Sequence, residues 1–243
     1  LTGADGLVYN GAAHTPGVAV THDGKELAAE KYDTVYTDNS SAGTDAAKVV
    51  VTAKAPLSFT RELFFSIAPK SVSPSIAVSG DATVKTYDGT TEVSDGLSVR
   101  LDGLVDGDAV TAQASYAYDS AQAGDGRVIT ATITGLAGDG AANYKLAADT
   151  AVVAGKIEKA GQQAPEAPKA AEADIRDTAV TLTAARENAE YSMDGANWQD
   201  SPEFTGLTPG HTYTFYARLK GDGNHHPSAS SAGTVVTTKK AGT

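Results

Sequence analysis

Apolar residues recur at alternate positions along most of this chain, in short runs separated by polar turns. A β-strand sends successive side chains to opposite faces, so alternation over four to eight residues predicts strands with one buried face. In the first third, Tyr32, Thr34 and Tyr36 share one face, followed by Val49, Val51 and Ala53, then Leu63, Phe65 and Ile67. The middle third repeats the pattern with Leu97, Val99 and Leu101, with Val110, Ala112, Ala114, Tyr116 and Tyr118, and with Ile129, Ala131 and Ile133. Val180 with Leu182, and Tyr213, Phe215, Ala217 and Leu219, do the same in the last third. Turns such as Asp23-Gly24, Asp88-Gly89, Asp106-Gly107 and Asp194-Gly195 separate the runs. The expected class is all-β, built as a tandem array of three small β-sandwiches.

Composition agrees with several small cores. Aromatic residues make up 7% of the 243 and are scattered singly, so one large core is hard to build. The 30 acidic and 19 basic side chains leave a net charge of −11, which disfavours a nucleic-acid partner. Cysteine is absent, which removes disulfides, thiolate metal sites and cysteine nucleophiles. No stretch approaches the roughly 20 apolar residues that cross a bilayer, so no membrane insertion is expected in this piece. The chain opens on Leu1 and reads as a soluble fragment of something longer.

Two boundaries are expected. Ala160 to Pro168, AGQQAPEAP, has two prolines and no large apolar residue, which predicts an extended, semi-rigid spacer. A shorter break is expected between Pro69 and Pro74. The resulting parts are residues 1–70, residues 71–159, a linker over 160–168, and residues 169–243. Each third is expected to bury enough apolar surface to fold unaided. An internal echo supports the partition. Tyr9-Asn10-Gly11 is matched by Tyr87-Asp88-Gly89, and each is followed 32 to 35 residues later by an Ala-Gly pair, Ala42-Gly43 and Ala123-Gly124. The expected reason is a structural tyrosine, Tyr9 or Tyr87, pinned in a small core beside a turn that needs glycine's freedom at positive φ.

Several of these residues resemble known families. Val8-Tyr9-Asn10-Gly11, Asp23-Gly24-Lys25, Tyr32, Tyr36, Asn39, Ala42-Gly43-Thr44 and Phe65-Ser66-Ile67 resemble the MBG-type and bacterial immunoglobulin-like repeats of surface proteins. The resemblance lapses between Lys54 and Thr60, where only Phe59 fits. Lys85-Thr86-Tyr87-Asp88-Gly89-Thr90-Thr91, Gly107-Asp108, Ala123-Gly124 and Asn143-Tyr144 resemble the YDG repeat. Tyr191 to Gly195, Trp198, and Phe204 to Gly210 leading into Tyr213 and Arg218 are similar to a fibronectin type III-like domain, in which Tyr213 would form a tyrosine corner. For the first two parts either an Ig-like sandwich or a smaller β-grasp-like sheet remains open. The resemblances imply a stalk of a large secreted or wall-attached bacterial protein, with no catalytic residues to carry over.

Candidate chemistry is sparse. None of GxSxG, HExxH, GxxxxGK[ST] or CxxC occurs, and no residue stands out as catalytic. The five histidines read as solvated loop residues, with His225 and His226 in a polar turn before Pro227. Calcium is the cofactor to consider, because Asp102, Asp106 and Asp108 surround two glycines, although Asp-Gly is also common hairpin chemistry. Residues 71–159 are also the most acidic part, at −6 against −2 before them and −3 after. Trp198, flanked by Asn197, Gln199 and Asp200, could stack on a sugar, or could cover the edge of its own sandwich beside Phe204 and Tyr191.

The reading of the sequence is a monomeric, extracellular spacer whose partners are its neighbouring modules, each spanning about 35 Å for about 100 Å in line. A grip on a host glycan or matrix protein is the rival, as is an accessory region of a secreted carbohydrate-active enzyme.

Overall fold

The structure, a computed structural model, describes residues 1–184 and 186–242. The chain is all-β, with three single-turn 3-10 helices among the described residues. In the first part, β1 (Thr21–His22) and β2 (Lys25–Glu26) form a hairpin whose two loop residues, Asp23 and Gly24, have φ of 49° and 73°. Positive φ at both loop residues matches the right-handed twist of the flanking strands, which explains the Asp-Gly pair. Strands β3 (Tyr32–Thr37), β4 (Gly43–Ala53) and β5 (Thr60–Ile67) form an antiparallel sheet in that order. Its register sets Tyr36 beside Val49 and Val49 beside Leu63. Val49, Val51, Phe65 and Ile67 are buried, while Val35 and Phe64 face outward.

The middle part contains β6 (Lys70–Val78), β7 (Val84–Thr86), β8 (Leu97–Asp102), β9 (Thr111–Tyr118), β10 (Gly124–Ala137), β11 (Tyr144–Leu146) and β12 (Thr150–Glu158). β6 lies between β11, parallel to it, and β8, antiparallel to it. β9 and β10 pair antiparallel with Tyr118 opposite Ile129, and the end of β12 pairs in parallel with β7. Pro74 lies inside β6 opposite Leu101, so the break expected between Pro69 and Pro74 falls in the two residues between β5 and β6.

The last part holds β13 (Ala179–Thr181), β14 (Ala189–Ser192), β15 (Glu203–Thr205), β16 (Thr212–Leu219) and β17 (Thr234–Thr237). A β13-β15 pair and a β14-β16-β17 sheet face each other over Val180, Leu182, Tyr191, Phe204, Phe215 and Val236. The stretch 160–168 is not a free spacer. Ala160 forms a parallel bridge with His225, Pro165 and Pro168 are buried, and Thr234 Oγ1 donates to the Pro168 carbonyl at 2.5 Å. Its prolines end the pairing without carrying the chain away from the last part.

The chain divides into two compact units, and the middle part contributes to both. The first comprises residues 1–83, 92–118 and 128–154; the second comprises 84–91, 119–127 and 155–243. Within the first unit, Ala47, Phe65 and Ile67 share one core with Val72, Leu101, Val110 and Tyr144, and Tyr9 joins it. Burying a Phe, Ile or Val side chain contributes about 1.5–3 kcal/mol. Cutting the chain at Pro69 would expose apolar side chains on both sides, so the core of residues 1–70 is not self-contained.

Candidate functional site

The residues singled out by the echo meet at two joints, one in each unit. In the first, the Tyr9 amide donates to the Ala68 carbonyl at 2.9 Å, and Val8 bridges Ala68 in parallel, which fixes the Tyr-Asn-Gly turn on the chain leaving β5. Asn10 Oδ1 accepts from the Ala12 amide, a turn that suits short polar side chains. The Tyr9 ring, 7% exposed, packs edge-on against Tyr144, with centroids 5.4 Å apart. Both phenols donate to Asp108 Oδ2, Tyr9 at 2.9 Å. The Val105 amide donates to Tyr144 Oη at 2.9 Å, and Asn143 Oδ1 accepts from the Ala42 amide at 2.8 Å. β11 holds Asn143-Tyr144 in place by pairing Tyr144 with Lys70 in parallel.

The second joint repeats this arrangement. The Tyr87 amide donates to the Glu158 carbonyl at 2.8 Å, and Asp88 Oδ1 accepts from the Thr90 amide as Asn10 does from Ala12. The Tyr87 ring packs edge-on against His225, centroids 5.2 Å apart. Asn224 Oδ1 accepts from the Ala123 amide at 3.0 Å, and His225 bridges Ala160 in parallel. Asn143 and Asn224 each lie 101 residues beyond the alanine they bind. In both joints the carbonyl that takes the tyrosine amide, Ala68 or Glu158, lies two residues before the one opposite the aromatic residue, Lys70 or Ala160. An open cleft flanks each joint, between the Ala-Gly corner and the strand end at Ile67 or Ile157.

The carboxylates differ. Asp108 binds the incoming tyrosine, and its bond to Tyr9, followed by burial, raises the Tyr9 pKa. Burial first, and then the bond to Asp108, push Tyr144 up to about 12, so both phenols are donors at neutral pH. Asp222 instead organises the receiving loop, accepting from the Asn224 and His225 amides at 2.7 Å each and lying 3.0 Å from His225 Nδ1. Lys159 Nζ donates to the Asp222 carbonyl at 2.5 Å, and Gln162 Nε2 to the carbonyls of Lys220 and His226. Asp88 is held by Lys85 at 2.8 Å and by the amide and hydroxyl of Thr90, in that order of effect, which lowers its pKa to about 2.

Tyr9 is pinned in the core that the first two parts share, Tyr87 is half-buried against His225, and both therefore act between parts of the chain. His225 is a half-buried contact residue instead of a solvated one. The structure does not gather Asp102, Asp106 and Asp108 into a metal site. Asp102 pairs with Arg100 at 2.9 Å and accepts from Ser75, while Asp108 lies between the two phenols. No group of three or more His, Asp or Glu placed to hold a metal occurs among the described residues. Trp198 is half-buried with the Arg218 guanidinium 4.3 Å from the centre of its ring, and Arg218 Nε binds Glu190 at 2.5 Å. The flanking amides, though exposed, are engaged locally: Asn197 Nδ2 donates to Asp194, and Gln199 Nε2 to the carbonyls of Ser201 and Glu203. Tyr213 Oη accepts from the Thr208 amide at 2.9 Å.

The receiving loops have a sequence signal of their own. Gly138-Asp139-Gly140 precedes Asn143-Tyr144, and Gly221-Asp222-Gly223 leads directly into Asn224-His225. Gly-Asp-Gly ahead of an Asn-aromatic pair is thus the partner of the Tyr-x-Gly and Ala-Gly echo.

These features define an all-β chain whose successive parts are held by one repeated joint. Residues 68–151, the stretch that carries the receiving half of the first joint and the Tyr-Asp-Gly turn of the second, match the YDG domain. Among curated proteins, nothing matches the chain.

Proposed function

We propose that the chain is a non-catalytic spacer in a large secreted or wall-attached bacterial surface protein. On this reading an MBG or bacterial Ig-like module precedes the YDG domain and a fibronectin type III-like module follows it. The observation that carries the proposal is the joint at Asn143-Tyr144 together with the core that runs from Ile67 into Val72. A hinge built to move would not bury apolar side chains from both neighbours or commit a carboxylate to two phenols. The net charge of −11 disfavours lateral association of separate chains.

The absence of cysteine makes the test direct. Val35 and Val152 are exposed and belong to the same unit, so the Val35→Cys, Val152→Cys variant can carry a dye pair. Single-molecule energy transfer should give one narrow distribution, with no binding on glycan or matrix-protein arrays. A broad distribution that follows ionic strength would overturn the fixed joint. Glycan binding abolished by Trp198→Ala would replace the spacer reading with an adhesive one.

A further inference from the structure

The middle part is the one that carries both halves of the joint. Its receiving half, Asn143-Tyr144 with Asp108, takes the Tyr9 turn and the Ala42 amide. Its inserting half, the Tyr87 turn and the Ala123 amide, is taken by Asn224-His225. We propose that residues 70–159 are complementary to themselves, and that the partner either half fits is a second copy of the same segment.

Three features support the match. Backbone register is the same in both joints, since Tyr9 reaches Ala68 with Lys70 opposite the aromatic residue, and Tyr87 reaches Glu158 with Ala160 opposite it. A copy of residues 70–159 placed between Lys159 and Ala160 therefore keeps both spacings. The receiving half crowds the incoming turn at one point: a Cβ on Gly11 would lie 2.7 Å from Val105 Cγ1. Gly89 fills that position in the other turn with φ of 79° against 80°, although among the described residues a Cβ there would meet only the Tyr87 hydroxyl, at 3.9 Å. The room that Val105 requires is thus present in a turn that does not meet Val105. Finally, the Asp88 carboxylate that replaces Asn10 is neutralised locally by Lys85 and would not set a bare charge against Asp108. Each added copy would contribute one more joint, in which the Tyr87 turn and the Ala123 amide meet Asn143-Tyr144 and Asp108 of the next copy. The inference rests on the joint geometry and not on the spacer reading.

The test duplicates residues 70–159 within the full chain. Ala123 should then give two protected amide resonances in hydrogen exchange. Asn143→Ala in the second copy should speed exchange at one of them by about two- to ten-fold, the loss expected for one hydrogen bond, and Asn224→Ala should do so at the other. An Ala123 amide already as fast as in the Asn143→Ala control, with Ala42 still protected, would overturn the proposal. A second comparison keeps the natural chain length. His225→Tyr gives the last part the aromatic residue of the middle one and should preserve Ala123 protection, whereas His225→Ala should lose it. Equal loss in both would contradict self-complementarity, and the result is read independently of any ligand-binding assay.

Discussion

The Tyr9 phenol donates to Asp108 at 2.9 Å across 99 residues of sequence and across the boundary between β5 and β6. Hydrogen bonds to a charged acceptor contribute about 1.5–3 kcal/mol, more than neutral ones, because the acceptor charge persists while water is displaced. Tyr9→Phe should therefore destabilise the first unit by roughly 1–3 kcal/mol in urea denaturation. Tyr144 shares the same carboxylate, so Tyr9→Phe and Tyr144→Phe should be non-additive, with a coupling of about 0.5–3 kcal/mol in a double-mutant cycle. Strict additivity would mean that the two phenols act separately.

The same cluster predicts an alkaline limit. Tyr144 titrates near 12 in the folded chain, because burial and then Asp108 oppose the phenolate, against about 10 for an unfolded tyrosine. Between those values the folded state holds the proton that the unfolded state has lost, so stability is fully present below pH 10 and declines as pH rises toward 12. Tyr9, raised chiefly by its bond to Asp108, adds to the decline. Melting temperature should fall across this window more steeply in the parent chain than in Tyr144→Phe, which removes the titration. Parallel profiles would contradict the assignment.

Glycine at position 11 is required twice over, by φ of 80° and by Val105 Cγ1 standing 2.7 Å from where a Cβ would go. Gly24 has a similar φ of 73°, but among the described residues nothing lies within 4 Å of where its Cβ would go. Gly24→Ala should cost about 1–2 kcal/mol for the left-handed backbone alone, and Gly11→Ala should cost visibly more. Equal costs would mean that the approach to Val105 is relieved without penalty.

Trp198 serves as a built-in reporter because it is the sole tryptophan. With Arg218 stacked on its ring and Arg218 in turn bound to Glu190, one face of the indole is covered. Trp198→Ala should lower stability by about 1–2 kcal/mol through the lost cation–π contact and apolar cover. Arg218→Leu should shift the emission to the red and raise acrylamide quenching. Unchanged fluorescence in Arg218→Leu would mean that the guanidinium does not shield the ring.

Strand identity was legible because it depends on local alternation. Val49 and Val51, Phe65 and Ile67, Ile129 and Ala131, and Phe215 and Ala217 all lie on buried faces, as period-two patterning predicts. The echo of Tyr-x-Gly with Ala-Gly was also legible, but its purpose was not. Its partners lie some hundred residues away, and one receiving aromatic is tyrosine while the other is histidine. His225 looked like a loop residue because its neighbours are polar, and polar neighbours here are what orient it: Asp222 and Asn224 shape the loop that receives Tyr87. The stretch from Ala160 to Pro168 looked like a spacer for a similar reason. Its pairing is by backbone and by buried proline, neither of which has a compositional signature. Asp102, Asp106 and Asp108 were grouped by proximity in sequence, whereas the fold assigns Asp102 to Arg100 and Asp108 to two tyrosines.

Native-state hydrogen exchange of the full chain in rising urea tests the central claim most directly. If the joint and the core spanning Ile67 and Val72 bind the first two parts into one unit, the slow amides of β4 at Val49 and Val51 and those of β6 and β8 at Val72 and Leu101 should converge on one isotherm with one free energy and slope. Separate isotherms, with β4 opening while β6 and β8 stay protected, would contradict a fixed joint and leave the parts as independent beads.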